Sequence, residues 1–184
     1  MKESDYENSI EHGRQFFDKE DYKSALRYFT KACVIKPDND MGWFLKGRTL
    51  NKLHKNREAN ECYNHVLESY PCCFNTLIEK GRALGTLGDD YAALGCFEIA
   101  TELDPDHPRA LHMKGIAHYS IGEYEKALAC FEKIEQRFPK DHRRWKSLAY
   151  WKAETLKKLK KNKKALEINP RYDKIEEKIK NLQK

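Results

Sequence analysis

The chain has 184 residues, of which 35% are charged, and its formal net charge is +6. Its mean hydropathy of −0.89 is low for a compact globule, yet its 8 Phe, 10 Tyr and 3 Trp exceed what a disordered polar chain carries. An elongated array of helices reconciles the two, because thin stacked layers expose much surface while they bury a continuous apolar seam. The sequence has no run of about 18 apolar residues, which argues against a membrane span. Residues 1–9 lack the apolar segment of a secretory signal, so we expect a cytoplasmic protein.

Four helix pairs are predicted in chain order, over residues 6–39, 40–73, 74–107 and 108–141, because four columns of residues recur at an interval of 34. Each unit carries a glycine in its first helix, an alanine and an aromatic residue in its second, and a closing proline. The columns are Gly13, Gly47, Gly81 and Gly115; Ala25, Ala59, Ala93 and Ala127; Phe29, Tyr63, Phe97 and Phe131; and Pro37, Pro71, Pro105 and Pro139.

Each column has a physical reason. A glycine inside a helix costs about 1 kcal/mol relative to alanine, so a periodic one indicates that the partner helix approaches closely there. The alanine does the reciprocal job, and the aromatic residue four positions later lies on the same helix face. Proline cannot continue the helix and therefore ends each unit.

The second unit shows the pattern best, with Trp43, Lys46, Gly47, Leu50, Ala59, Tyr63, Val66 and Pro71. Together with the period, this resembles the tetratricopeptide repeat family, whose signature is W-x2-L-G-x2-Y, then A-x3-F, then P. The resemblance implies an all-α fold, a right-handed superhelical solenoid of antiparallel helix pairs with a concave inner surface. That surface would be lined by the first helix of each pair.

After Asp141 the pattern degrades, and Ala149 stands where the signature glycine would be. We expect a shortened fifth helix pair over residues 142–170. A capping helix over 173–184 follows, because Ile175, Ile179 and Leu182 form one apolar stripe on a charged segment. The whole chain is thus predicted to be a single domain of about five repeats.

Proteins of this family usually bind a ligand in the concave groove, through first-helix residues that the signature leaves free. Arg14, Arg48 and Arg82 each follow a signature glycine and are expected to form a column of guanidiniums there. Arginines suit carboxylates, and apolar neighbours suit the side chains of a docked peptide. We therefore predict a protein scaffold or adaptor that binds an acidic or carboxylate-ended peptide with hydrophobic residues. The predicted groove residues are Arg14, Met41, Phe44, Leu45, Arg48, Ile78, Arg82, Arg109, His112, Met113 and Ile116.

Other interpretations remain open at this point. The arginines could simply solvate the groove or pair with neighbours such as Glu11 and Glu79. The exposed end of the array could drive self-association into a homo-oligomer. Residues 142–184 hold 15 Lys and Arg against 5 Asp and Glu, so they could contact nucleic acid or an acidic surface, although an ordinary solvated helix face is the favoured reading.

No catalytic or phosphate-binding motif is present, and the seven histidines lack metal-ligand spacing. The sequence therefore predicts no enzymatic activity, no cofactor and no metal. Cys62, Cys96 and Cys130 each precede the column aromatic, also 34 residues apart. We expect these thiols to fill the same small space in successive repeats rather than to react.

Overall fold

The computed structural model describes residues 2–137 and 145–159, and all regular structure in those ranges is helical. The helices are α1 (Lys2–Asp18), α2 (Tyr22–Ile35), α3 (Asp40–Lys52), α4 (Asn56–Ser69), α5 (Phe74–Thr86), α6 (Asp90–Leu103), α7 (Pro108–Ser120), α8 (Tyr124–Arg137) and α9 (Trp145–Lys158). The prediction of an all-α array of helix pairs is confirmed. None of the described helices combines the length and apolar character that crossing a bilayer would need.

The helices pack in the predicted pairs, α1 with α2, α3 with α4, α5 with α6, and α7 with α8. Helices α2 and α4 also pack against the first helix of the following pair, and α8 packs against α9. The pairs fall inside the predicted units, except that α1 begins at Lys2, four residues before the predicted start at residue 6. Helix α9 occupies the place of the first helix of the fifth pair; the second helix of that pair and the capping helix at 173–184 lie outside the described residues.

Contacts between residues group the chain into two compact units, Met1–Leu103 and Asp104–Lys184. Unit 1 contains three helix pairs, α1 to α6. Unit 2 contains the pair α7 and α8, followed by α9. The two units are described separately below.

The signature glycines make room for the column aromatics, as predicted. A Cβ atom added to any of the four would lie 2.5–2.7 Å from the Cε1 atom of the aromatic ring in the same pair, far inside van der Waals contact. Those rings are 0–3% exposed and form the centre of each pair. The four contacts join Gly13 to Phe29, Gly47 to Tyr63, Gly81 to Phe97, and Gly115 to Phe131.

A shared turn joins the two helices of each pair, and its central residue has a positive φ angle. The four positions are Glu20 (59°), His54 (59°), Gly88 (83°) and Gly122 (86°). In each turn the next backbone N–H donates to a carbonyl five residues earlier, for example Lys55 N to Leu50 O at 2.9 Å. This is the helix C-terminal arrangement in which a left-handed residue satisfies the last carbonyls. The connection between paired helices therefore has the same backbone form in all four pairs.

Candidate functional site

The predicted groove residues of unit 1 lie on the first helices α1, α3 and α5. We call the surface that carries Arg14, Arg48 and Arg82 the first-helix face. Arg14 is exposed, and its Nη2 atom lies 3.8 Å from the Sδ atom of Met41, which is 46% exposed. Glu11, a candidate partner for Arg14, instead accepts a hydrogen bond from Gln15 Nε2 at 3.1 Å.

Arg48 lies on two aromatic rings. Its guanidinium carbon is 5.1 Å from the ring centre of Phe17 in α1 and 5.8 Å from that of Phe44 in α3. A guanidinium stacked in this way is attracted by the ring faces and loses part of its side-chain freedom. Among the described residues no carboxylate forms an ion pair with Arg48. Its hydrogen-bonding edge is therefore held in place without its charge being neutralised.

Arg82 has a different environment. Its Nη2 and Nε atoms donate to the same carboxylate oxygen of Glu79, at 2.6 and 3.1 Å. The Glu79 side chain is 8% exposed and that of Arg82 is 42% exposed, so Glu79 is a buried carboxylate whose charge Arg82 compensates. The alternative that an arginine of the column pairs with a neighbouring glutamate thus holds for this position. The three guanidiniums of the expected column therefore differ in their surroundings: among the described residues, that of Arg82 forms an ion pair and those of Arg14 and Arg48 do not.

Two predicted apolar anchors are not accessible. Leu45 is 7% exposed and packs in the core between the first and second pairs, and Ile78 is fully buried. Both positions point toward a neighbouring helix rather than away from the array, so the expectation that they are exposed anchors is wrong. Phe44, which is half-buried, and Met41 remain available on the first-helix face.

In unit 2 the predicted residues lie on α7. Arg109 is exposed, and Met113 is half-buried. Ile116 packs against the core cluster around Phe131. The Nε2 atom of His112 lies 3.3 Å from Ser147 Oγ of α9, and burial lowers the pKa of His112. These two residues therefore contribute to packing within unit 2.

The basic C-terminal segment is described only as far as α9 and the residue after it. There Lys152 is buried and forms an ion pair with Glu135, while Lys157 Nζ donates to Glu154 Oε1 at 2.8 Å. The lysines from Lys160 onward lie outside the described residues. The described part of the chain holds no group of three or more His, Cys, Asp or Glu residues placed to bind a metal ion.

The comparisons with known proteins agree with this geometry. A family model described as tetratricopeptide repeat matches residues 78–142. The TPR repeat-containing protein MJ0941 of Methanocaldococcus jannaschii is 34% identical over 61 residues, which are 33% of this chain and only 18% of that protein. The matched segment includes two of the four glycine–aromatic contacts, Gly81 with Phe97 and Gly115 with Phe131. Residues 78–142 thus match the tetratricopeptide-repeat (TPR) family, and the described helix pairs have the TPR fold.

Solved structures show the same fold. MamA, residues 41 to the end, from Desulfovibrio magneticus RS-1 superimposes with a TM-score of 0.84 at 18% identity, covering 95% of this chain and 96% of that one. YrrB, described as a TPR protein with an unusual peptide-binding site, has a TM-score of 0.73 at 19% identity, with 91% and 84% covered. At these identities the likeness establishes the TPR fold and leaves the ligand open.

The structure also reveals a polar pair that the TPR signature does not fix. Asn51 Nδ2 donates to the hydroxyl of Tyr63 at 2.9 Å, and both residues are buried in the second pair. Burial, and next the charge of Glu79, raise the pKa of Tyr63. The signal was present in the sequence: Tyr63 is the single tyrosine in a phenylalanine column, and the extra hydroxyl needs a partner.

The column cysteines pack as expected at two of their three positions. Cys62 and Cys96 are buried and Cys130 is half-buried. Burial raises the pKa of each thiol, that of Cys62 to about 11. A thiol with a raised pKa carries little thiolate near neutral pH and is a poor nucleophile. These cysteines fill space in the TPR core.

Proposed function

We propose that this protein binds an extended segment of a partner protein on the first-helix face of unit 1. TPR folds serve protein–protein interaction in general, and the specific ligand proposed here is an acidic peptide with a hydrophobic residue. The observation that carries the proposal is Arg48, whose charge is held between the rings of Phe17 and Phe44 without a carboxylate from the described residues.

The chemistry of the site supports an acidic ligand. A guanidinium that is already partly desolvated and oriented by aromatic rings gives up less freedom when it binds a carboxylate through two parallel hydrogen bonds. Arg14 and the exposed Met41 lie beside each other at the same end of the face. A carboxylate on Arg48 would therefore have the ring of Phe44 beside it, and one on Arg14 would have Met41, as apolar surface for a neighbouring hydrophobic side chain.

The test is a peptide selection against the full chain from a random library, followed by calorimetry of the enriched sequences. We expect Asp or Glu within a few residues of an apolar side chain. Replacing Arg48 by Ala should weaken binding about tenfold or more, since a charge-assisted hydrogen-bonded pair is worth about 1.5–3 kcal/mol.

The chain supplies two matched controls. Arg82→Ala removes an arginine whose charge Glu79 already compensates, and Arg57→Ala removes an exposed arginine from α4, a second helix outside the face. Both should weaken binding much less than Arg48→Ala. If the enriched peptides are not acidic, or if Arg48→Ala binds them as tightly as the unchanged chain does, the proposal is wrong.

A further inference from the structure

Helix α6 carries an unusual amount of exposed apolar surface. Tyr91 is 75% exposed, Ile99 is 42% exposed and Leu103 is 45% exposed. With Gly95 these residues follow one another at intervals of four, so they form a single ridge along the helix. We call Tyr91, Gly95, Ile99 and Leu103 the α6 ridge. It lies on the second helix of its pair and shares no residue with the first-helix face.

The repeat itself does not require this ridge to be apolar. The positions one or two units away that correspond to Tyr91 and Ile99 are charged or ionisable in each of the other three pairs. For Tyr91 they are Lys23, Arg57 and Glu125, and for Ile99 they are Lys31, His65 and Lys133. Since three copies of the same fold place polar side chains there, the apolar residues of α6 are not needed to build the pair.

Gly95 at the middle of the ridge has no role in internal packing. A Cβ atom added to it would meet nothing within 4 Å, whereas one added to Gly81 in α5 would collide with Phe97. A helical glycine costs about 1 kcal/mol relative to alanine, and no close packing contact at Gly95 among the described residues offsets that cost. What Gly95 does create is a notch between Tyr91 and Ile99, through which another helix could approach the α6 backbone closely.

The charges of α6 are all of one sign. The helix contains Asp90, Glu98 and Glu102 and no Lys, Arg or His. Glu98 and Glu102 are exposed and one turn apart, and by helical spacing they border the ridge on one side. Two copies of this chain meeting through α6 would oppose carboxylate to carboxylate, which disfavours a symmetric dimer there.

We propose that the α6 ridge is a docking surface for an amphipathic helix of another protein, with Lys or Arg along the margin of its apolar face. The apolar residues of that helix would enter the notch at Gly95 and contact Tyr91 and Ile99. Its basic residues would pair with the exposed Glu102 at the margin of the ridge. This is the helix-packing arrangement in which ridges spaced at four residues interlock, combined with complementary charge. The proposal does not depend on peptide binding at the first-helix face.

The probe is a fluorescein-labelled synthetic peptide of about 18 residues that forms an amphipathic helix of Leu and Lys. A peptide with Glu in place of every Lys is the matched control. Fluorescence anisotropy of the full chain should show binding of the Lys peptide that weakens as salt is raised, and no comparable binding of the Glu peptide.

Three variants of the chain locate the binding. Ile99→Lys should weaken it about tenfold or more, because it removes apolar contact and adds a repelling charge. Glu102→Gln should weaken it less and reduce its salt dependence. Val34→Lys is the control, since Val34 is an apolar residue of α2 that is 77% exposed. The affinity of this variant for the Lys peptide should equal that of the unchanged chain. All these sites are exposed, so the variants should fold, as circular dichroism would check.

Two results would overturn the proposal. In the first, the Lys peptide binds Ile99→Lys as tightly as the unchanged chain, which would place the peptide elsewhere. In the second, light scattering shows that the unchanged chain is a dimer and that Ile99→Lys is a monomer, which would make a second copy the occupant of the ridge.

Discussion

Two glycines of the third helix pair should respond in opposite ways to the same substitution. A Cβ on Gly81 would lie 2.6 Å from Phe97 Cε1 and 2.7 Å from its Cζ atom, so the ring or the helix must move by roughly 0.8 Å to restore an ordinary contact. Phe97 is 3% exposed and has little room to move. Overpacking of this kind costs about 1–3 kcal/mol, at the upper end for a rigid ring. The gain in helix propensity of about 1 kcal/mol offsets part of it, so Gly81→Ala should lower the free energy of unfolding by about 1–2 kcal/mol.

Gly95→Ala should raise stability instead. The added methyl group meets nothing and the residue has no positive φ angle, which leaves the propensity gain of about 0.5–1 kcal/mol. Urea unfolding followed by circular dichroism measures both variants against the unchanged chain. We expect midpoints shifted in opposite directions, and a thermal midpoint that moves by about 2–4 °C for each kcal/mol in a chain of this size.

A double substitution identifies the cause. In Gly81→Ala combined with Phe97→Leu, the ring atoms that collide with the new methyl group are gone. The destabilisation of the double variant should then be smaller than the sum of the two single values by about 1 kcal/mol or more. Additive values, or a Gly81→Ala variant as stable as Gly95→Ala, would refute the explanation of the glycine column by close approach.

Three further outcomes follow from the turns, the thiols and a buried histidine. His54→Gly should raise the free energy of unfolding by about 1 kcal/mol, since His54 has a φ of 59°; a lower urea midpoint would contradict the turn geometry. Cys72 is exposed while burial raises the pKa of Cys62 to about 11, so a disulfide reagent at pH 8 should label Cys72 in the folded chain and Cys62 only in urea; equal rates would contradict the burial. Burial lowers the pKa of His118, so the folded chain binds fewer protons than the unfolded chain does, and stability should fall as pH drops below about 6.5. His118→Gln should reduce that fall, and an unchanged pH dependence of the urea midpoint would count against it.

The fold could be predicted because the periodic residues act through steric contact alone. A glycine and an aromatic side chain at this fixed spacing contact each other regardless of the neighbouring residues. A Cβ atom added to the glycine would lie 2.5–2.7 Å from the ring in all four pairs, so the same contact occurs four times. The left-handed turn residues also recur every 34 positions. They escaped prediction because Glu20 and His54 stand where Gly88 and Gly122 show the usual signal. The turn tolerates a strained residue, so composition there is a weaker indicator than spacing.

The arginine partners could not be predicted from spacing. Glu11 and Glu79 both precede the column arginine by three residues, yet only Glu79 binds its arginine, while Glu11 accepts from Gln15. The difference lies in burial. Glu79 is nearly inaccessible and needs a compensating charge, which Arg82 supplies, whereas Glu11 is solvated and gains little from an ion pair. Burial depends on the packing of the neighbouring pair, which a single repeat does not encode.

The residues that can bind a ligand are those that the repeat signature leaves free. The repeat sets the backbone position of each such residue, and the neighbouring side chains determine how exposed it is and which groups it contacts. At one phase, Arg14 is exposed beside Met41, Arg48 is stacked on two rings, and Arg82 compensates a buried carboxylate. Positive charge that remains available thus declines from the first pair to the third. A peptide bound on this face should accordingly place its acidic residues at the first two pairs. In α6, Tyr91 and Ile99 stand where the other three pairs have charged or ionisable residues. There the same fold favours the binding of a basic amphipathic helix.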